Sequence, residues 1–134
     1  MPGATVTLQR GLTVSASQGK PISGQFEMDE GKFQLSVYTA KAGKFFEVIV
    51  DHGTGKVAKA EAITSGEDFA EAQAQSKAMA HVKGTLKAVV DRAEHEHPGF
   101  RAVSVAPKLT EGHPVAVVTL VKGDQFKSTS EPLE

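Results

Sequence analysis

The chain has 134 residues, of which 15 are Lys or Arg and 16 are Asp or Glu, and its formal net charge is −1. This length suits one ordinary domain or two very small ones, and a hydrophobic content of 40% is typical of a globular protein. The near-neutral charge argues against a nucleic-acid binder, and no apolar run reaches the roughly 18 residues of a membrane span. The absence of cysteine excludes disulfides and thiolate metal sites.

The first predicted elements are a helix and an antiparallel meander. Thr7 is a plausible N-cap of the helix, and Gly19 and Pro21 would end it. Strand-like stretches follow, joined by short turns that contain glycine: 22–28, 32–40, 45–51 and 56–63. Strands joined by such short turns must be antiparallel neighbours, because a parallel return needs a long crossover.

A helical stretch at 67–97 comes next, with Ser65 as its predicted N-cap. Small or apolar residues recur along it at intervals of seven: Ala72, Met79, Leu86 and Ala93. Because this phase continues through Gly84, it favours one long helix of about 45 Å, at about 1.5 Å per residue. Two helices with a hinge at Gly84 are the alternative.

The second half of the chain repeats the order of elements at an offset of roughly 80 residues, as internal repeats do. Thr85 would cap a helix, and three strand-like stretches follow: 100–105, 113–121 and 125–130. The predicted fold class is therefore α+β, with two repeats of a helix packed on a three- to four-stranded antiparallel sheet, joined by a long helix. The predicted domains are module 1 at 4–63, a linking helix at 64–84, and module 2 at 85–133, truncated at its last strand.

Residues 46–57 carry a resemblance to a known family. They read Phe-Glu-Val-Ile-Val-Asp-His-Gly-Thr-Gly-Lys-Val, after a helix, strands and a Gly turn. This order resembles a PepSY domain, whose signature has an aromatic-rich strand, a V-D-x-x-T-G-K-V turn and a last strand. The second copy, 85–133, is similar in element order and departs by lacking the Asp-x-x-Thr-Gly-Lys turn.

The resemblance implies a location and a class of function. PepSY domains occur in propeptides of thermolysin-type metallopeptidases and in bacterial envelope proteins, where they are thought to modulate proteases or bind partners. It therefore implies a non-catalytic, extracytoplasmic protein, its leader replaced by Met1, that binds, modulates or inhibits a peptidase or another envelope protein. No catalytic residue and no cofactor is carried over. A homodimer remains open, and the alternative function is a small-ligand or metal-binding envelope protein.

The turn within this match is the predicted binding site. It consists of six residues: Asp51, His52, Gly53, Thr54, Gly55 and Lys56. Asp51 can accept backbone N–H bonds across the turn, and Gly53 and Gly55 permit positive φ. Hairpin chemistry alone would explain these residues. A partner contact is the functional interpretation, because exposed loops on a rigid sheet are common binding positions.

Three other kinds of chemical site have too little support in the sequence to be predicted. A phosphate-binding loop would need Gly and Ser or Thr where Val50 and Val57 stand. Asp91 and His95 share a helix face and could hold a cation, but His97 points elsewhere, and histidines near a helix C-terminus interact well with its dipole. No serine lies in a G-x-S-x-G elbow, so nucleophilic catalysis has no support either.

Overall fold

The computed structural model describes residues 6–29 and 32–133. Three features of the sequence analysis lie outside the described residues. They are the first two residues of predicted module 1, the predicted turn at 30–31, and Met1, which was interpreted as replacing a leader. The described helices are α1 (Leu8–Ser15), α2 (Gly66–Met79) and α3 (Leu86–Glu96), with a 3₁₀ turn at Ala16–Gln18. The described strands are β1 (Lys20–Asp29), β2 (Lys32–Lys41), β3 (Lys44–Val50), β4 (Val57–Ile63), β5 (Arg101–Thr110), β6 (His113–Lys122) and β7 (Gln125–Pro132).

The predicted fold class is wrong in its architecture. The described strands form a single seven-stranded antiparallel sheet in the order β4-β3-β2-β1-β5-β6-β7. The two halves meet because β1 pairs with β5, placing Gly24 opposite Val105 and Gln25 opposite Ser104. The chain is thus a sheet-rich fold with three short helices in its described part, and not two helix-on-sheet repeats joined by a long helix.

The long helix is also wrong, because α2 and α3 cover opposite faces of the sheet. Leu35 packs against α1, whereas its neighbour Ser36 lines a cavity with Glu71 and Gln75 of α2. Successive side chains of a strand point to opposite faces, so α1 and α2 lie on opposite sides. Contacts between α1 and α3 place α3 on the α1 side. The chain must therefore cross from one face to the other between residues 79 and 86, which a continuous helix cannot do.

Side-chain and backbone bonds stabilise the ends of the two helices at this crossing. The Lys20 ammonium donates to the carbonyl oxygens of Met79 and Val82, each at 3.3 Å. At the start of α3, the Thr85 hydroxyl accepts from the Ala88 N–H at 3.2 Å. The predicted caps Thr7 and Thr85 are confirmed, whereas Ser65 precedes α2 without a side-chain bond to it.

The two faces of the sheet have different chemistry. The face under α1 and α3 carries aliphatic core residues, among them Leu35, Val37, Val48, Val105 and Val118. The face under α2 carries small polar residues at its centre, namely Ser23, Ser36 and Ser104. The buried residues of α2 are Ala72, Gln75, Ala78 and Met79, and Gln75 lines the cavity on this polar face. The residues that recur at intervals of seven, Ala72, Met79, Leu86 and Ala93, are all buried in the core, and Phe69 is partly buried against Phe45.

An ion pair holds α3 to β7 at one edge of the sheet. The Arg92 guanidinium donates to a Glu131 carboxylate oxygen at 2.9 Å and to the Pro132 carbonyl oxygen at 3.0 Å. The Glu131 side chain is 8% exposed and also accepts from the Thr129 hydroxyl. The bond from Arg92 and the bond from Thr129 hold the pKa of Glu131 below its usual range, against the effect of burial. The carboxylate is therefore ionised at neutral pH.

Replacing Arg92 with Met is expected to lower the free energy of unfolding by about 1–3 kcal/mol at neutral pH, because it leaves the Glu131 charge buried with fewer partners. Since the folded-state pKa is depressed, this stabilisation is present above about pH 4.3, the ordinary pKa of Glu. It is lost as the pH falls through the folded-state pKa. Urea denaturation at neutral and at acid pH measures the loss of stability and its dependence on pH.

Lys87→Met, which breaks the half-exposed Lys87–Asp91 pair, is the control and should lower the free energy of unfolding by only about 0.2–0.5 kcal/mol. A loss for Arg92→Met that is the same at both pH values would contradict this account.

Candidate binding site at the edge strand β4

The predicted turn joins β3 to β4 and is held by its own backbone and by Asp51. The Asp51 N–H donates to the Lys56 carbonyl oxygen and the Asp51 carbonyl oxygen accepts from the Gly55 N–H, both at 2.8 Å. The Asp51 carboxylate accepts from the N–H groups of Gly53 and Thr54, at 2.8 and 2.9 Å. These bonds, that of Thr54 first, hold the pKa of the Asp51 carboxyl below its usual range. The turn therefore presents a fixed negative charge on an ordered backbone.

The glycines of the turn have different roles. Gly55 adopts a φ of +76° and is buried, with the Arg10 side chain and Val6 next to its Cα. Gly53 does not adopt a positive φ, so the turn does not use the conformational freedom that glycine permits at this position. A Cβ on Gly53 would meet the Asp51 Oδ1 at 3.2 Å, which explains a small residue at this position. The Val6 N–H also donates to the His52 carbonyl oxygen at 3.1 Å, so the N-terminal segment supports the turn.

The strand that leaves this turn, β4, forms one edge of the sheet. It pairs with β3 on one side, and residues 58–62 are all exposed. Its side chains alternate: Ala58, Ala60 and Ala62 lie on one face, and Lys59 and Glu61 on the other. An edge strand offers every second N–H and C=O outward, which is a template for an added strand.

An acidic recess of about 210 Å³ lies beside the end of β4. Its lining residues come from β3, from β4 and from the segment leading into α2: Glu47, Glu61, Ala62, Ile63, Thr64, Ser65 and Asp68. Glu47 and Glu61 are directly opposite each other in the β3–β4 register. Like charges in this position destabilise a sheet unless something compensates them. Their presence at an edge is therefore a feature that folding alone does not explain.

The charges in the recess are only partly compensated by the contacts seen there. The Lys59 ammonium lies 2.7 Å from a Glu61 carboxylate oxygen, and the Ser36 hydroxyl donates to Glu47 at 2.7 Å. The Tyr38 phenol donates a hydrogen bond to Asp68 beside the recess. Burial first, and then the charges of Asp68 and Glu47, raise the pKa of the Tyr38 phenol far above its usual range. The recess can thus accept a cationic group at the open edge of the sheet.

The other residues considered from the sequence do not form a site. The Asp91 carboxylate accepts from Lys87 and from Gln9, and His97 ends α3 with its ring against Phe100. Across residues 6–29 and 32–133, no three His, Asp or Glu side chains are grouped closely enough to hold a metal ion. Each helix in the same ranges is too short or too polar to span a lipid bilayer.

The sequence predicts the turn but not the recess. Glu47, Glu61 and Asp68 are spread over 22 positions of the chain, and only Glu47 lies within the 46–57 match. The strand register is the one feature of the sequence that could have revealed the recess, because the 51–56 turn sets which residue of β4 faces Glu47. Counting back from the turn could have placed Glu61 near Glu47, but only α2 packing on that face brings Asp68 to them.

Comparison with known proteins supports the fold alone. A crystal structure of a putative lipoprotein from Clostridium difficile 630 superimposes with a TM-score of 0.52 at 12% sequence identity. The match covers 98% of this chain and 88% of that protein. At this identity the likeness concerns the architecture and not the residues of the site. No family model and no curated protein matches the chain.

Proposed function

We propose that this chain is a non-catalytic binding protein that holds an extended segment of a partner protein along β4. The observation that carries the proposal is the open edge of β4, whose residues 58–62 are exposed and which continues directly from the ordered turn at 51–56. Addition of a strand to such an edge is a common mode of peptide recognition, in which backbone bonds supply affinity and side-chain recesses supply specificity. The turn at Asp51 to Lys56 then borders one end of the added strand.

The chemistry beside β4 favours a basic segment. Glu61 and Glu47 stand at the end of the edge strand with Asp68 behind them, so a Lys or Arg side chain of an added strand would meet carboxylates. Guanidinium and ammonium groups form the stronger, charge-assisted class of hydrogen bond with carboxylates. Complementary charge also steers the encounter and makes the association weaken as salt rises.

The resemblance to PepSY domains supports a place for this activity. It favours a protein that acts outside the cytoplasm, on a peptidase or an envelope protein. The fold shared with a putative lipoprotein of Clostridium difficile is consistent with that setting. A propeptide-like modulator would bind part of a peptidase and would not itself be cleaved. A chain that binds an extended segment along the ordered edge strand β4 can act in this way.

A peptide of alternating Lys and Val is expected to bind this chain more tightly than one of alternating Glu and Val. Glu61→Lys should weaken the Lys-Val peptide by about tenfold or more, because a repulsion replaces a charge-assisted bond. The same change removes a like-charge pair opposite Glu47, so the variant should fold at least as well as the parent. Fluorescence anisotropy of labelled peptides, at low and high salt, is the measurement.

Asp124→Lys is the matched control, since Asp124 is an exposed acid in the β6–β7 turn, at the opposite side of the seven-stranded sheet from β4. It should leave the affinity for the Lys-Val peptide unchanged. Equal weakening by both variants would show general charge attraction and refute binding at β4. Equal affinity for the two peptides would refute the preference for a basic segment.

The peptidase assignment has its own test, which is inhibition of a thermolysin-type metallopeptidase by the purified chain with cleavage of the chain followed in parallel. Submicromolar inhibition by intact protein is expected if the chain modulates such an enzyme. Digestion without inhibition would refute that assignment and leave the peptide result to decide whether β4 binds strands.

A further inference from the structure

Another cavity, on the α1 side of the crossing between α2 and α3, has a different character from the acidic recess. Its volume is about 200 Å³. It is enclosed by the end of α1, the start of β1, the end of α2 and the start of α3: Leu12, Thr13, Ala16, Lys20, Pro21, Met79, Gly84, Thr85, Leu86 and Lys87. An apolar cavity of about 150 Å³ is enough to hold a benzene-sized molecule.

The inner wall of this cavity is apolar and fixed. Leu12, Met79 and Leu86 are buried members of the hydrophobic core, so the wall is part of the folded core and not a loose surface. Pro21 and Ala16 extend it toward solvent. Binding sites for small molecules have this construction, with a mostly apolar wall and a few polar groups at defined positions.

The polar groups at the mouth favour an anion. The Lys20 ammonium lines the cavity and uses two of its bonds on the carbonyl oxygens of Met79 and Val82, at 3.3 Å each. An ammonium has three N–H donors, so one remains for a ligand. No Asp or Glu belongs to the cavity lining. Lys87, also in the lining, is held by Asp91 at 2.9 Å and adds little net charge.

The start of α3 supports the same assignment. Gly84, Thr85, Leu86 and Lys87 all line the cavity, so the first turn of this helix opens onto it. The first N–H groups of a helix have no partner within the helix, and Thr85 engages only that of Ala88 with its side chain. These N–H groups and the helix dipole favour a negative charge at this end. The first turn contains no acidic side chain that would occupy them.

We propose that this cavity binds a monocarboxylate with a medium-length apolar chain, of the fatty-acid class. The chain lies against Leu12, Met79 and Leu86, and the carboxylate lies between the Lys20 ammonium and the first turn of α3. This site is independent of the strand-binding edge, because β4 and the acidic recess contribute none of its residues. A carboxylate alone would gain little from the apolar wall, and a neutral chain alone would leave the donors at the mouth unused.

The test is titration of the purified chain with octanoate, octanol and octylamine, followed by the NMR shifts of the Leu12, Met79 and Leu86 methyl groups and by calorimetry. Octanoate is expected to bind about tenfold or more tightly than octanol, because only octanoate forms charge-assisted bonds. Octylamine should bind most weakly. Absence of methyl shifts with all three probes would overturn the site, and equal binding of octanoate and octanol would overturn the carboxylate assignment.

Two pairs of variants locate the binding. Ala16→Leu fills the cavity and should abolish octanoate binding, whereas Ala88→Leu, a change at another exposed alanine that lies outside the lining, should not. Lys20→Met should remove the preference for octanoate over octanol while octanol still binds, with Lys83→Met as the control. Circular dichroism confirms folding of each variant, and binding of octanol to Lys20→Met shows that its cavity is intact. Retention of the octanoate preference in Lys20→Met would overturn the role of Lys20.

Discussion

Leu35→Ala is expected to lower the free energy of unfolding by about 2–5 kcal/mol, the usual range for a fully buried Leu cut to Ala. Leu35 lies on β2, the third strand from the β4 edge, and is 0% exposed. It pairs with Phe26 on one side and Val50 on the other, and α1 covers it. The side chain therefore has no neighbour that can collapse cheaply into the space it leaves. Urea denaturation with a constant m value is the measurement.

Leu109→Ala is the control for this prediction. Leu109 is 45% exposed near the end of β5, so its truncation should cost about 0.5 kcal/mol or less, as surface substitutions do. Gly11→Ala tests the partner surface on α1, because its Cβ would lie 2.6 Å from Leu35 Cδ2. In the Leu35→Ala background that clash is gone, so Gly11→Ala should become neutral or stabilising there. If the losses of unfolding free energy in Gly11→Ala and Leu35→Ala simply add in the double variant, α1 does not pack on Leu35 at this position.

Gly19→Ala is the second large expected effect, at about 1–3 kcal/mol from backbone strain alone. Gly19 joins the 3₁₀ turn to β1 with a φ of +142° and a ψ of 178°, a region that is almost confined to glycine. A Cβ there would also lie 2.9 Å from the Ala40 carbonyl oxygen on β2, which is backbone and cannot rotate away. The strain and the clash therefore add. Thermal unfolding followed by circular dichroism would measure the loss.

Gly43→Ala separates these two contributions. Gly43 lies in the β2–β3 turn with a φ of +79°, and a Cβ there would meet nothing within 4 Å. This variant has unfavourable φ without a clash, so it should cost less than Gly19→Ala. An equal loss in the two variants would contradict the contact with Ala40.

The strands were predictable because their signals are local. The glycine turns and the apolar–polar alternation at 32–40 and 45–51 depend on neighbours in sequence, and β2 and β3 lie at these positions. β5 was predicted too short, at 100–105, because Pro107 and Lys108 interrupt its alternation; it extends to Thr110. The joining of all strands into one sheet was not predictable in this way, since β1 and β5 are distant in sequence.

The break between α2 and α3 shows where periodicity misleads. Met79 and Leu86 are seven residues apart and both buried, which is the pattern of one continuous helix face. They reach the core from separate helices that lie on opposite faces of the sheet. A spacing of seven does not indicate whether two residues belong to the same helix. Gly84 and the Thr85 cap were the local signs of a break, and both supported the hinged alternative.

In the candidate site, too, features that depend on neighbours in sequence were predictable and features that join distant residues were not. The bonds of Asp51 within the turn follow from turn chemistry and were predicted, since its carboxylate accepts from Gly53 and Thr54. The carboxylates beside β4 and the cavity at Lys20 were not, because each joins residues from separate elements. Whether the turn itself contacts a partner stays a prediction.

The pairing of β1 with β5 has a consequence for how the chain folds. Each of the other neighbouring pairs of strands is joined by a short turn, so those ladders can form as local hairpins. The ladder at Gly24–Val105 and Gln25–Ser104 closes a loop that contains β2, β3, β4, α2 and α3. Closing so long a loop is entropically costly and slows folding. We therefore expect the β1–β5 ladder at the centre of the sheet to be the last to form, and to join the two halves into one cooperative unit.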